Sequence, residues 1–168
     1  MKDNDFDENH LVLGLDYGVK KMGMALGNTL IDTARPFDIL PMNNGQPADW
    51  DNLLGIIVSW QIDPVIVGLP LNMDGTDSML SKRAHKFARR LAHRLLEQKL
   101  AVAVLLFDER LTSREARAMA WEHGLISDER DPIDDLSACL LLMTYLANPN
   151  HAQDISQQAQ DKIQENRK

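Results

Sequence analysis

The sequence has little cysteine, few basic residues and no long apolar segment, and each shortage excludes a class of protein. Cys139 is the only cysteine among the 168 residues, so an internal disulfide and a cysteine-based zinc site are both excluded. No apolar run reaches the roughly 18 residues that a membrane-spanning helix needs. The first nine residues are acidic and polar, unlike a signal peptide. We therefore expect a cytoplasmic protein with no membrane partner.

The charge balance is acidic, but it is uneven along the chain. Lys and Arg number 18 against 25 Asp and Glu, which gives a formal net charge of −7. A protein that coats nucleic acid without specificity would normally be basic. Residues 82–94, however, contain six basic residues and no acidic one. The acidic average is therefore compatible with a selective enzyme that has a local basic face.

The length and the hydrophobic pattern predict one mixed α/β domain. The pattern indicates five strands, at residues 11–16, 22–26, 31–40, 65–67 and 101–107. It also indicates helices at 49–60, 78–99 and 133–146, and another that begins near Thr112 or Ser113. We expect a mixed five-stranded sheet with helices on both faces. Residues 1–10 should form a flexible acidic N-terminus, 11–147 the folded domain, and 148–168 a polar, disordered tail.

Acidic residues occur where a buried sheet would bring them to one edge. Asp16 ends the first strand, and the later candidates come in adjacent pairs, Asp108 with Glu109 and Asp134 with Asp135. Carboxylates that converge from distant segments make an oxygen-rich site for Mg²⁺ or Mn²⁺, and two such ions can hydrolyse a phosphodiester. The spacing does not tell which carboxylate of each adjacent pair is the metal ligand. Roles in helix capping, in turns or in pairing with a neighbouring arginine stay open as alternatives.

Five segments in order resemble the motifs of the YqgF/RuvX family, whose members are described as pre-16S rRNA nucleases or Holliday-junction-resolvase-like proteins. They are LGLDYGVKKMGMALGN (13–28), TARPFDIL (33–40), VIVGLPLNMDGTDS (65–78), FDERLTSREA (107–116) and IDDLSACLLLMTYL (133–146). The resemblance covers about residues 11–147. It implies an RNase H-like fold, related to the resolvase RuvC, and divalent-metal nuclease chemistry.

The resemblance also implies which carboxylates act. By position, the acidic residues of the family fall on Asp16, Glu109 and Asp134, which would bind one or two Mg²⁺ or Mn²⁺ ions and carry out catalysis. Asp131 lies one helical turn before Asp134 and is either a fourth carboxylate or simply loop acidity.

Basic and polar residues near these motifs are candidates for holding the nucleic acid. On the helix at 78–99, three residues are predicted phosphate contacts, unless they belong to an ordinary solvated face: Arg83, Lys86 and Arg90. Four others neighbour the carboxylate motifs in sequence and are candidates for contacts to the scissile phosphate: Lys20, Lys21, Arg35 and Arg110. Asn72 lies in a polar loop after a strand end, where ligands of α/β sheets often bind, although a simple turn around Gly75 would have the same composition.

Together these features predict a metal-dependent endonuclease that matures the 5′ end of pre-16S rRNA. Its expected partners are ribosomal precursor RNA and ribosomal particles. One alternative is a resolvase that acts on four-way DNA, which would need two active sites and hence a dimer. Another is a non-catalytic RNA-binding factor for ribosome maturation. The first motif also resembles the phosphate loop of actin-like ATP-binding proteins, which are duplicated and much longer.

Overall fold

The computed structural model describes residues 11–111, 118, 122, 136–156 and 164–166. This part of the chain contains a seven-stranded sheet, with α-helices packed against it. The strands are β1 (Leu11–Asp16), β2 (Lys21–Asn28), β3 (Thr33–Asn43), β4 (Gln46–Pro47), β5 (Val65–Leu69), β6 (Val104–Asp108) and β7 (Gln153–Asp154). The helices are α1 (Trp50–Ser59), α2 (Met79–Glu97) and α3 (Ser137–Ala147).

The sheet is mixed, and its strand order is β4-β3-β2-β1-β5-β6-β7. β1, β2 and β3 pair antiparallel, whereas β1, β5 and β6 pair parallel. The predicted mixed sheet is therefore confirmed, and the five predicted strands form its centre. The predicted number of strands is wrong, because β4 and β7 add a two-residue strand at each edge. Strands this short carry no recognisable alternation of apolar and polar residues.

The helices lie on both faces of the sheet, as the sequence predicts. α1 and α2 cover one side, here called the two-helix face, where Leu13 and Leu15 of β1 and Tyr17, just after it, join the larger core cluster. α3 covers the other side, the α3 face, and packs with Val12 of β1 in a second cluster. α3 is buried nearly all round, which explains why its sequence is almost uniformly apolar. Among the described residues, no helix is both long and apolar enough to cross a bilayer.

The cap residues define where α1 and α2 begin. The Asp49 carboxylate accepts hydrogen bonds from the amides of Asp51 and Asn52, as expected for the predicted N-cap of α1. Ser78 caps α2 in a reciprocal pair with Ser81. The helix predicted to begin at Thr112 or Ser113 lies outside the described residues.

A tight turn joins β3 to β4, where the sequence analysis predicts no regular pairing. Asn44 and Gly45 both have positive φ, +49° and +86°, and the flanking residues pair as Asn43 with Gln46. This is the two-residue hairpin turn that Asn-Gly favours, because both central residues must tolerate the left-handed region. The turn brings polar side chains close to α2.

Residues 149–156 belong to the fold, which differs from the disordered tail predicted from residue 148. Gln153 and Asp154 pair antiparallel with Leu106 and Leu105 of β6. Ile155 is only 2% exposed and joins the larger core cluster. Because this short strand covers the edge of β6, it completes the sheet on that side.

Candidate active site

Asp16 lies at the end of β1 on the α3 face. Its partner across the antiparallel ladder is Gly23 of β2. A β-carbon added to Gly23 would lie 3.7 Å from the Asp16 β-carbon and 3.9 Å from that of Ala138. The Asp16 side chain therefore stands beside the first turn of α3.

Glu109 reaches the same face from the other half of the sheet. It follows β6 at the start of a short 3₁₀ turn, Glu109–Leu111. The parallel register pairs Gly68 of β5 with Phe107, two residues before Glu109. The Glu109 side chain folds back over Gly68, where an added β-carbon would lie 2.8 Å from its Cγ and 3.0 Å from its Cδ. Gly68 thus leaves the space that Glu109 occupies.

The sequence motifs do not reveal that Gly68 makes room for Glu109. The signal of this role is a glycine inside the apolar strand VIVGL, where any other residue would strengthen the strand. A glycine in such a position often marks the close approach of another group.

The carboxyl groups of Glu109 and Asp16 are close enough to perturb each other. The pKa of Glu109 is raised to about 8, first by burial, then by the negative charge of Asp16 and by a hydrogen bond between the two side chains. The charge of Asp108 adds a smaller contribution. Without a cation, Glu109 therefore holds a proton near neutral pH.

Asp108, the other candidate of this pair, has a different role. Its Oδ2 lies 2.6 Å from Nη2 of Arg110, and the Arg110 Nε donates to both of its oxygens. Hydrogen bonds from Arg110 outweigh partial burial and lower the pKa of Asp108. The Arg110 Nη1 also donates to the Met73 carbonyl at 3.1 Å. Arg110 therefore links the end of β6 to the loop after β5, and the alternative of arginine pairing is confirmed for Asp108.

The remaining predicted carboxylates cannot be placed beside this pair. Asp131, Asp134 and Asp135 lie outside the described residues. Within the described ranges, no group of three or more His, Cys, Asp or Glu side chains could hold a metal ion. The described part of the site is thus the pair of Asp16 and Glu109.

A groove of about 450 Å³ opens next to Asp16. It is lined by Asp16, Tyr17, Gly18 and Lys21, and by residues from the middle of β2 and β3. The structure therefore brings Lys21 to the carboxylate, as predicted. Lys20 is exposed on the same turn but does not line the groove.

Arg35 is not brought to the carboxylates, and Asn72 lies in a loop after β5, as predicted. Arg35 pairs with Leu26 on the two-helix face, and its guanidinium lies 6.0 Å from the centre of the Trp60 ring. Asn72 binds within its own loop, where its side-chain amide donates to Thr76 Oγ1 and to the Asp77 carbonyl.

The predicted basic residues of α2 line a separate cavity of about 430 Å³ on the two-helix side. Arg83, Lys86 and Arg90 face the β3–β4 turn across it. Tyr17 is the residue that lines both this cavity and the groove beside Asp16.

Solved structures with this arrangement of strands and helices define the class of the protein. The chain is similar to RuvC of T. thermophilus in complex with a Holliday junction substrate, with a TM-score of 0.57 and 16% identity, over 86% of this chain and 98% of that one. It is also similar to a second Thermus thermophilus RuvC structure, with a TM-score of 0.58 and 13% identity, over 86% of this chain and 99% of that one. The expected RNase H-like fold, that of RuvC, is thereby confirmed.

Sequence comparisons define the family within this class. The model of the RuvX family, described as Holliday junction resolvase, matches residues 10–148. A protein of Psychrobacter sp. (strain PRwf-1), named "Putative pre-16S rRNA nuclease", is 76% identical over 149 residues, which are 89% of this chain and 84% of that protein. A Klebsiella pneumoniae protein of the same name is 42% identical over 134 residues, 79% of this chain and 93% of that protein. The chain belongs to the RuvX family.

Proposed function

We propose that this protein is a divalent-metal-dependent nuclease that processes the precursor of 16S rRNA. The observation that carries the proposal is the convergence of Asp16 and Glu109 from the ends of β1 and β6, on one face of an RNase H-like sheet. We propose both residues as metal ligands and catalytic residues. Asp134 is proposed as the third ligand from its position in the last family motif.

The chemistry of the pair fits a hard divalent cation. Both groups offer only carboxylate oxygens, which Mg²⁺ and Mn²⁺ prefer as ligands. Two ionised carboxylates in contact repel each other, and this repulsion adds to burial, the larger cause, in raising the pKa of Glu109. A bound cation would relieve the repulsion, and it would supply activation of water and stabilisation of negative charge on the phosphodiester.

The neighbouring residues position these carboxylates and the substrate. Gly68 leaves room for the Glu109 side chain, and the ion pair of Arg110 with Asp108 fixes the turn on which Glu109 lies. Lys21 lines the groove beside Asp16, where its charge can offset that of a substrate phosphate. Each of these groups is held by regular strands or by a short turn between them, which favours a fixed geometry.

The names of the relatives support the proposed substrate. Proteins up to 76% identical to this chain are named as pre-16S rRNA nucleases, which supports precursor RNA and ribosomal particles as partners, and a cytoplasmic site of action. The description of the family as Holliday junction resolvase supports branched DNA as a second candidate substrate. Membership of this family favours a nuclease over the ATP-binding alternative.

A cleavage assay tests the proposal directly. Wild-type protein is incubated with a pre-16S rRNA fragment and with four-way-junction DNA, in Mn²⁺ or Mg²⁺ and in excess chelator. We expect cleavage of the RNA with metal and none with chelator. The Asp16→Asn variant should lose cleavage and keep the wild-type melting temperature, whereas Asp51→Asn, an exposed acid on α1, serves as the charge-matched control. Cleavage of the junction alone would favour the resolvase, and full activity of Asp16→Asn would refute the assigned site.

A further inference from the structure

We propose that the cavity between α2 and the β3–β4 turn binds a backbone phosphate of single-stranded RNA, next to the cleavage site. This inference rests on the proposed nuclease function and names a second contact for its substrate. We call this cavity the basic pocket. Seven residues line it: Tyr17, Asn43, Asn44, Gln46, Arg83, Lys86 and Arg90.

The charge of the basic pocket fits an anion. Three of its residues are cationic and none is acidic. In the described part of the chain, no salt bridge joins a carboxylate to Arg83, Lys86 or Arg90, so no carboxylate neutralises the pocket there. Three like charges around one concavity repel one another, and a bound phosphate would relieve that repulsion.

The spacing along α2 shows that the pocket is more than an exposed basic helix. Arg83, Lys86 and Arg90 are three and four residues apart and therefore share one helix face. Arg94, in the same basic stretch, instead lies 4.4 Å from the centre of the Trp50 ring. Lys82 and Arg89 are exposed and do not line the cavity. The basic stretch thus divides into residues that converge on the pocket and residues that do not.

Hydrogen bonds hold the opposite wall of the pocket in place. The Arg83 Nη2 donates to the Asn44 carbonyl at 2.6 Å and to Asn44 Oδ1 at 3.0 Å. The Tyr17 hydroxyl donates to the Gly45 carbonyl at 2.9 Å, and the Gly45 amide donates to the Val19 carbonyl. The turn and Arg83 are therefore fixed, which leaves the exposed Lys86 and Arg90 to reach the ligand.

The position of Tyr17 relates the basic pocket to the site of cleavage. Tyr17 follows Asp16 directly, and it lines both the basic pocket and the groove beside Asp16. Asp16 stands beside Ala138 on the α3 face, whereas Tyr17 joins the core of the two-helix face, so the two concavities lie on either side of the end of β1. A flexible single strand can pass over this edge and occupy both, whereas a stiff duplex would have to bend to do so, which costs deformation energy.

Binding measurements in excess chelator test the pocket without any need for cleavage. A fluorescent single-stranded RNA of 20 nucleotides is titrated with wild type, with Lys86→Gln/Arg90→Gln, and with Lys82→Gln/Arg89→Gln, which removes the same charge from the same helix. Because the four positions are exposed, each variant should melt as wild type does. We expect the pocket variant to bind about 10-fold more weakly and to have a shallower salt dependence, by about one unit of slope, while the control changes less than threefold.

Each other outcome overturns a defined part of the account. Equal losses in both variants, no loss in either, or no RNA binding by wild type would refute the basic pocket. An equally large loss with the same RNA as a duplex would refute the preference for a single strand. If the binding results are as expected but wild type cleaves no nucleic acid in Mn²⁺ or Mg²⁺, the pocket stands and the proposed nuclease function fails.

Discussion

The Gly68→Ala substitution gives a sharp test of the geometry around Glu109. The added β-carbon would lie 2.8 Å from Cγ and 3.0 Å from Cδ of Glu109, whereas ordinary contacts of this kind are 3.4–4 Å. The Glu109 carboxylate must therefore shift by about half an ångström to one ångström, since the backbone of β5 is fixed by pairing on both sides. A displacement of about 1 Å at a catalytic group can cost about 100-fold in rate.

The same geometry predicts that the fold survives this substitution. The contact involves the outer part of a long side chain, which can rotate away, and Gly68 is not among the glycines with positive φ. We expect kcat for RNA cleavage in Mn²⁺ to fall about 100-fold, with little change in KM or in the melting temperature. The control is Gly55→Ala on α1, where an added β-carbon meets no atom within 4 Å, and which should add up to about 1 kcal/mol of stability without affecting kcat. A wild-type kcat in Gly68→Ala would refute the reasoning.

Two further predictions concern stability. Because the pKa of Glu109 rises from its ordinary 4.5 to about 8 on folding, the folded state holds this proton more tightly, and the stability this provides below about pH 4.5 is lost as pH rises to about 8. Urea unfolding in chelator should show this loss of stability, at most about 1.4 kcal/mol per pH unit, and Glu109→Gln should remove the pH dependence. Mn²⁺ should stabilise wild type more at pH 8 than at pH 5. An unchanged pH profile in Glu109→Gln would contradict the assignment of this proton to Glu109. Ile155→Ala should lower the free energy of unfolding by about 2–5 kcal/mol because Ile155 is buried under the sheet edge. The control is Gln153→Ala at an exposed position, which should change the free energy of unfolding by less than about 0.5 kcal/mol. Equally small effects of both substitutions would show that this segment does not stabilise the fold.

The parts of the site that depend on local patterns could be predicted from the sequence. The apolar run that ends in Asp16 predicts a buried strand with a carboxylate at its end, and β1 has this form. Asp49 predicts where α1 begins, and the apolar stripe of residues 78–99 predicts α2. These predictions succeed because alternation and capping involve residues within a few positions of each other.

The choice between Asp108 and Glu109 needed information from distant residues. Asp108 ends β6 and Glu109 follows it directly, and each could pair with the neighbouring Arg110. The parallel register of β5 with β6 places Gly68 beside Glu109, whose side chain occupies the space that a Gly68 side chain would fill. Asp108 instead pairs with Arg110. A register between strands that are far apart in sequence leaves no local signature.

A single β-bulge accounts for the unexpected position of Arg35. The pairing of β2 with β3 shifts by one residue between Met24 and Ala25, so that Arg35 pairs with Leu26 on the two-helix face. Without the shift, Arg35 would pair with Gly27, whose position faces Leu142 of α3. A one-residue shift turns every later side chain to the other face, and the sequence of β3 does not announce it.

The central claim is that Asp16 and Glu109 hold the divalent cation needed for phosphodiester hydrolysis. Its most direct test is the initial rate of pre-16S rRNA cleavage as a function of Mn²⁺ concentration, for wild type and Glu109→Gln in parallel. We predict that the wild-type rate rises to saturation, and that the variant stays at least about 100-fold slower at every concentration. A variant that reaches the wild-type rate at saturating Mn²⁺ would contradict the claim.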